Sequence, residues 1–356
     1  MSAIDSRLPG KLGNSSATLE TDERLDPRIA AALAITAELA PGVEPVAADA
    51  GYQECLAYCS AFENANAIAH PAMLAAMPEF DSVSVSTEVI QGVDGNDITL
   101  HIHRPVGSDG PLPGVVHTHG GGMVLMTAED PMCVRWRNSL AESGMVVVGV
   151  EFRNGGGRLG NHPFPAGLND CASATQWTFA NKDQLGISTI AISGESGGGN
   201  LSIATTLKAN REGWMNQIDG VYALCPYISG AYANPPIELM SLLENDDYML
   251  NGQMMGALAK VYDPSGEQAE NPLAWPWHAQ GSDLRGLPPH VISVNELDPL
   301  RDEGLAYFRK LLAANVSAVG VTIHGTPHAG DVSLPDVVPD VYQRSIQSIH
   351  SFASSL

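Results

Sequence analysis

The chain has 356 residues, a hydrophobic fraction of 44% and a formal net charge of -22. This length supports one large core or two smaller ones, and the apolar content excludes bulk disorder. The charge argues against nucleic acid and membrane surfaces as partners, because both attract basic patches. Residues 1–17 are polar and lack the apolar stretch of an export signal, so we expect a cytoplasmic protein.

The first 80 residues predict a helical segment that precedes the main domain. Asp26-Pro27 is a typical N-cap followed by a first helical residue, and it opens a helix that ends before Pro41-Gly42. Further helices are predicted near residues 52–67 and 71–76. We interpret residues 1–80 as an N-terminal helical cap segment.

Beyond residue 80 the pattern becomes that of a mixed sheet. Ser82–Val89 and Ile98–His103 alternate polar and apolar residues, as half-buried antiparallel strands do. Short apolar runs separated by helical segments follow, which is typical of a parallel sheet covered on both faces. The runs are Gly114–Thr118, Met145–Glu151, Thr189–Ser193, Gly220–Leu224, His290–Val294 and Val319–Ile323. We therefore predict an α/β domain over residues 81–356, with a mostly parallel sheet of about eight strands.

One long stretch, residues 229–277, does not follow this alternation. It is rich in Met, Asn, Asp and Pro, and it has no strand pattern. Ligands of open α/β sheets bind at the carboxyl edge of the strands. We interpret residues 229–277 as a cap or lid insertion over that edge, the alternative being surface decoration.

A serine stands in a glycine-rich turn between a predicted strand and a predicted helix. The turn is Gly194-Glu195-Ser196-Gly197-Gly198-Gly199. So short a connection strains the serine backbone and exposes its hydroxyl, and side chains at the flanking positions would clash. The helix N-terminus adds positive potential where an oxyanion would form. We predict that Ser196 is a catalytic nucleophile.

A serine nucleophile needs a base, and in this arrangement the acid and then the histidine follow it along the chain. His328 lies in the loop after the last predicted strand, whereas its rival His324 belongs to the strand end. Asp298 lies in the loop after the preceding strand, with Asp302 and Glu296 as rivals. We predict that Asp298 orients His328 and stabilises its protonated form.

A second glycine run, His119-Gly120-Gly121-Gly122, follows the first parallel strand and leaves its backbone bare. Bare N–H groups can approach a developing alkoxide. We predict that the N–H groups of Gly121, Gly122 and Gly197 form an oxyanion hole, and that His119 braces the loop. Candidate substrate-pocket residues, for which core packing is an equal alternative, are Met123, Val124, Leu125 and Trp275.

The five cysteines are odd in number and scattered along the chain, which suits a reducing compartment. We expect them to be small buried hydrophobic residues. Histidine pairs two residues apart, such as His117 and His119, more often share one face of a strand than bind metal. We predict neither a metal site nor a cofactor.

These motifs resemble the hormone-sensitive-lipase-like branch of the α/β-hydrolases. The matching residues are His119–Gly122, His162–Pro165, Gly194–Asn200, Asp298–Glu303 and His328–Gly330. The resemblance implies an α/β-hydrolase fold, hydrolysis of carboxylic esters with short acyl chains, and no cofactor. It also supports the triad and the oxyanion donors. The chain departs from the common pattern at Gly197, where many members have Ala, and at residues 151–157, which leaves the pocket shape open.

The sequence therefore predicts a serine carboxylesterase that acts on a small-molecule ester through an acyl-enzyme. A lactonase or amidase with the same triad is the first alternative. A non-catalytic small-molecule-binding protein is the second, although the loss of Ser196 or His328 that would mark it has not occurred. A homodimer is left open.

Overall fold

The computed structural model describes residues 8–36, 43–47, 49–108 and 110–356. In these ranges one sheet contains eight strands. They are β1 Val83–Gln91, β2 Asp97–Pro105, β3 Leu112–Thr118, β4 Val146–Glu151, β5 Ile187–Glu195, β6 Gly220–Leu224, β7 His290–Asn295 and β8 Ala318–Ile323. Their order is β1-β2-β4-β3-β5-β6-β7-β8, with β2 antiparallel to both neighbours and all other pairs parallel. The predicted mostly parallel sheet is confirmed.

The α-helices are α1 Gly10–Gly13, α2 Pro27–Thr36, α3 Tyr52–Ala67, α4 His70–Ala75, α5 Pro131–Glu142, α6 Ala166–Ala180, α7 Lys182–Leu185, α8 Gly197–Glu212, α9 Ser241–Glu244, α10 Gly252–Tyr262, α11 Gly281–Leu284, α12 Arg301–Ala313, α13 Gly330–Ser333 and α14 Pro339–Ser354. Short 3-10 turns lie at Leu19–Thr21, Gly157–Leu159, Met215–Gln217 and Pro276–His278. The predicted helix end at Pro41-Gly42 lies outside the described residues. In the described part of the chain, no helix is both long and apolar enough to cross a membrane.

Helices cover both faces of the sheet. Successive residues of a strand point to opposite faces, so neighbouring residues contact different layers of helices. Val147 packs in a cluster with residues of α5 and α14, whereas Val148 packs in a cluster with residues of α6 and α8. Further along the sheet, β6 and β7 pack against α8 and α12. The five cysteine side chains are buried as free thiols, as expected.

The parallel strands bring the predicted site together. β3, β5, β7 and β8 run in the same direction, so their carboxyl ends meet at one edge of the sheet. The glycine run at residues 119–122 follows β3, and Ser196 follows β5. Asp298 and His328 follow β7 and β8. Four segments distant in sequence therefore converge at this edge.

Candidate active site

Ser196 occupies a strained turn between β5 and α8. Its backbone has φ 56° and ψ -118°, a conformation that a non-glycine residue rarely adopts. The turn is fixed to the end of β6 by hydrogen bonds from Ser196 N to Leu224 O, at 3.0 Å, and from Tyr227 N to Ser196 O, at 3.1 Å. A Cβ atom at Gly198 would lie 1.9 Å from the Thr118 carbonyl oxygen, so this position requires glycine. The strain predicted for this turn is present.

Asp298 and His328 form a buried pair beside this turn. The His328 Nδ1–H donates to Asp298 Oδ2 at 2.8 Å, and the Asp298 side chain is fully buried. The other carboxylate oxygen accepts a hydrogen bond from Leu300 N at 2.9 Å. Ser196 and His328 line the same cavity, although the described residues include no hydrogen bond between Ser196 Oγ and His328. Such contacts commonly tighten only when substrate binds.

The rival residues point elsewhere. The side chain of His324 is 76% exposed, and its Nδ1 lies 3.1 Å from Glu296 Oε2. Asp302 accepts a hydrogen bond from Ser241 N at 2.7 Å and pairs with Arg301. None of these rivals lines the cavity that contains Ser196. The structure therefore brings Asp298 and His328 together and leaves the alternatives outside.

The His328 loop is held by Asn295, which the sequence analysis did not single out. The Asn295 side-chain amide donates to Thr326 Oγ1 at 2.8 Å and to Asp331 Oδ1 at 2.9 Å. Its carbonyl oxygen accepts from Ala329 N at 3.2 Å. The sequence offers one indication of this role. Asn295 ends a strand whose residues are all buried, and a buried side-chain amide needs several hydrogen-bond partners.

The surroundings of His328 favour its protonated form. Burial alone would lower the pKa of the imidazole, but the adjacent Asp298 carboxylate outweighs it and raises the pKa well above 6.5. The Cys225 thiol also lies close, since potential ligand atoms of Cys225, Asp298 and His328 are all within 4.8 Å of one another. Burial raises the pKa of Cys225, so this neighbour is a neutral thiol near pH 7.

The glycine loop after β3 is fixed by a buried carboxylate, Glu195, whose role the sequence analysis missed. Gly120 N donates to Glu195 Oε1 at 2.9 Å, and His117 Nε2 donates to Oε2 at 3.0 Å. Burial would raise the pKa of Glu195, yet these two partners hold it below its usual value. The ionised side chain before Ser196 therefore positions the glycine loop beside it.

His119 packs within this loop and is unsuited to proton transfer. Its ring stacks on Phe152 with centroids 4.2 Å apart, and its Nδ1–H donates to Gly120 O at 2.9 Å. Burial lowers the pKa of His119 to about 4, so the ring is neutral at pH 7. This arrangement fits the predicted bracing role.

Three backbone N–H groups lie in the segments that meet at Ser196, those of Gly121, Gly122 and Gly197. Gly121 and Gly122 have φ of 93° and 62° and line the cavity with Ser196. A Cβ atom at Gly197 would lie 2.6 Å from Gly122 N, so the two segments are in close contact. Within the described ranges, the N–H groups of Gly121, Gly122 and Gly197 donate to no protein acceptor. They can therefore bind an oxyanion.

Gly197→Ala is expected to lower kcat/KM by about 10- to 100-fold. The new Cβ would stand 2.6 Å from both Gly122 N and Met123 N, where ordinary contacts begin at 3.4 Å. The loop would have to move by roughly 1 Å, and such a displacement costs up to about 100-fold in rate. Steady-state kinetics measure the effect, with Gly256→Ala as the control because a Cβ there meets nothing within 4 Å. Wild-type kinetics for Gly197→Ala would contradict this packing argument.

The reaction cavity, as we call the cavity that contains Ser196 and His328, has a volume of about 400 Å³. Side chains of α3, α4 and α10 contribute to its walls, so both the N-terminal segment and residues 229–277 border the site. Six of the 12 methionines of the chain line it: Met73, Met126, Met132, Met249, Met254 and Met255. Methionine is flexible and polarisable, so these apolar walls can adapt to substrates of different shape.

One cavity wall is tied to the loop region by Glu63 of α3. This buried carboxylate accepts hydrogen bonds from Met126 N at 2.8 Å and from Arg158 N at 2.6 Å. Its side chain also lines the reaction cavity. The contact connects the N-terminal segment directly to the end of the glycine loop.

The expected pocket residues need correction. Leu125 lines the reaction cavity, but Met123 and Val124 do not and are buried in the core. The backbone turns sharply at Gly121, Gly122 and Met123, which all have positive φ, and beyond this turn Met123 and Val124 pack into the core. Trp275 is 2% exposed, packs edge-on against Tyr227 and borders a separate cavity instead.

Known proteins that are similar to this chain in sequence or structure are hydrolases and esterases. A family model described as the α/β hydrolase fold matches residues 115–330. Carboxylesterase NlhH of Mycobacterium tuberculosis is 33% identical over 255 residues, which are 70% of this chain and 76% of that protein. A solved brefeldin A esterase, described as a bacterial homologue of human hormone sensitive lipase, is 44% identical over 98% of both chains, with a TM-score of 0.93. The solved esterase Est22 is 37% identical over 95% of this chain and 99% of that chain, with a TM-score of 0.81.

Proposed function

This chain belongs to the α/β-hydrolase family, in its hormone-sensitive-lipase-like branch, and is a carboxylic ester hydrolase; from that premise we propose that Ser196, His328 and Asp298 are its catalytic triad. The observation that carries the proposal is the convergence of the strained Ser196 turn and the Asp298–His328 pair on one cavity. That arrangement matches the demands of acyl transfer, which needs a nucleophile, a base and a group that orients the base.

In the proposed mechanism, Ser196 Oγ attacks the ester carbonyl carbon while His328 takes the hydroxyl proton. The carbonyl oxygen becomes an oxyanion, which the N–H groups of Gly121, Gly122 and Gly197 bind. Collapse of this intermediate breaks the bond to the alcohol oxygen. The departing alcohol receives the proton from His328 and leaves an acyl group on the serine.

The second half-reaction reverses these roles with water. His328 removes a proton from a water molecule, which attacks the acyl carbonyl carbon. The same N–H groups bind the new oxyanion, and collapse releases the carboxylic acid while the proton returns to Ser196. Asp298 holds the imidazole in the required tautomer and stabilises its charged form in both halves.

We also propose that residues 1–80 and 229–277 together form the cap of this site. The proposal is supported by their contributions to the cavity walls, such as Phe62 and Met254. The substrate class is a small-molecule ester, and the modest cavity volume favours short acyl chains. A cytoplasmic location stays a prediction of the sequence, and a homodimer stays open.

A fluorophosphonate probe tests the nucleophile directly, because it reacts preferentially with an activated serine. We expect one label per chain, located on the peptide that contains Ser196, together with loss of p-nitrophenyl acetate hydrolysis. Ser196→Ala is expected to lose both labelling and hydrolysis. Ser333→Ala is the matched control, since Ser333 lines the same cavity, and it is expected to retain both. Labelling of another residue, or serine-independent turnover, would overturn the proposal.

A further inference from the structure

Tyr227 lies where the nucleophile turn, the proposed cap and the reaction cavity meet. It follows β6, is 2% exposed and lines the reaction cavity. Its backbone N–H donates to Ser196 O at 3.1 Å, and its carbonyl oxygen accepts a hydrogen bond from Asn200 Nδ2 at 2.9 Å. Asn200 belongs to α8, which begins directly after Ser196. The backbone of Tyr227 is therefore fixed to the turn that carries Ser196.

The side chain of Tyr227 reaches from this turn to α10 of the proposed cap. Its hydroxyl group donates to Met255 O at 2.5 Å. Met254, Met255 and Leu258 of the same helix line the reaction cavity. One tyrosine therefore joins the turn that carries Ser196 to a helix that forms a wall of the same cavity.

The ring of Tyr227 has little freedom to change direction. It stacks on Tyr232 with centroids 4.4 Å apart and planes inclined by 6°, and Trp275 packs edge-on against it with centroids 5.6 Å apart. Tyr232 is fixed in turn, because its hydroxyl group donates to the buried Glu303 carboxyl group at 3.0 Å. With its direction fixed by this packing, the ring holds its hydroxyl group at a set distance from the Ser196 turn.

We propose that Tyr227 is a positioning residue that sets the spacing between Ser196 and α10, and thereby the breadth of substrate that the reaction cavity accepts. The proposal rests on the proposed function, because breadth is judged by turnover at Ser196. The ring keeps α10 from approaching the Ser196 turn, and the hydrogen bond to Met255 O keeps the helix from moving away. Loss of the hydroxyl group alone should therefore let the cavity widen and not let it narrow.

Tyr227→Phe tests the proposal, because it removes the hydroxyl group and keeps the ring. Tyr262→Phe is the matched control. Tyr262 is also buried and packs edge-on against Trp275, with centroids 5.5 Å apart, but its hydroxyl group has no hydrogen-bond partner among the described residues. Both variants therefore lose one buried oxygen atom from a tyrosine that packs on Trp275. Steady-state kinetics are measured with p-nitrophenyl acetate and with p-nitrophenyl pivalate, whose acyl group is branched and broader.

We expect Tyr227→Phe to shift the ratio of the two kcat/KM values by about fivefold in favour of pivalate, which is the net worth of one hydrogen bond. The KM for acetate should rise while its kcat stays within about twofold of wild type. Tyr262→Phe should leave the ratio within about twofold. Equal changes for both esters would assign Tyr227 a purely structural role and overturn the proposal, as would the same shift in Tyr262→Phe.

Hydrogen–deuterium exchange of the α10 amides gives a second readout, which does not depend on catalysis. We expect these amides to exchange about fivefold faster in Tyr227→Phe than in wild type, and at wild-type rates in Tyr262→Phe. Unchanged exchange in Tyr227→Phe would overturn the proposed restraint on α10. Failure of the proposed function is distinguishable, because wild type would then show no Ser196-dependent hydrolysis, whereas exchange in α10 would still respond to Tyr227→Phe.

Discussion

His328→Ala is expected to lower kcat for ester hydrolysis by about 10⁴- to 10⁶-fold, because no other described histidine can accept the Ser196 proton in the reaction cavity. Among the described residues one other histidine lines the cavity, His70, and its Nδ1 lies 3.8 Å from Asp130 Oδ1. Steady-state hydrolysis of p-nitrophenyl acetate measures the change. Circular dichroism verifies that the variant is folded.

His324→Ala is the matched control for this prediction. Its side chain is 76% exposed and contacts Glu296, so its removal is expected to change kcat by less than about twofold. The two variants lie four residues apart and differ in what the imidazole contacts. A large loss in His324→Ala with activity retained in His328→Ala would show that the base is wrongly assigned.

Asp298→Asn is expected to lower kcat by about 10⁴-fold. The Asp298 carboxylate accepts the His328 Nδ1–H at 2.8 Å, whereas an amide could present its NH₂ group there instead. The histidine would then carry its proton on Nε2 and could not accept one from the serine. Asp302→Asn is the control, because Asp302 contacts Ser241 and Arg301 outside the cavity. Activity lost only in the control would assign the acid to Asp302.

The pH profile gives Asp298→Asn a second readout. Catalysis needs neutral His328, and Asp298 raises its pKa well above 6.5, so wild-type kcat/KM should fall as the pH drops through a value above 6.5. Without the carboxylate, burial is left to lower the pKa. On the acid side of the profile, the residual kcat/KM of the variant should therefore fall at a lower pH than the kcat/KM of wild type. An unchanged acid limb would contradict the role given to Asp298.

The strands and the residues that follow them could be predicted from the sequence, because the patterns that mark them are local. Glycine runs next to Ser196 and after β3 mark turns that only small residues permit, and chain order then limits the choice of acid and base. The relation of Asp298 to His328 could be predicted since both follow neighbouring strands of the sheet.

The supporting contacts could not be predicted in the same way. Glu195 acts on Gly120, which lies 75 residues earlier, and Asn295 acts on a loop more than 30 residues later. Periodicity carries no information about such distant pairs. The pocket expectation for Met123 and Val124 was wrong because three consecutive positive φ angles redirect the chain, and spacing alone does not indicate this.

The contact made by Glu63 bears on how readily the cap could be exchanged between relatives. A transplanted cap without this carboxylate would leave the amides of Met126 and Arg158 without their present acceptor. A fully buried amide without an acceptor costs about 1–3 kcal/mol, and these two partly buried amides would lose part of that. Chimeras that alter substrate preference should therefore keep Glu63 and the hydrogen bonds that it accepts from Met126 N and Arg158 N. The cap and the glycine loop are not independent modules.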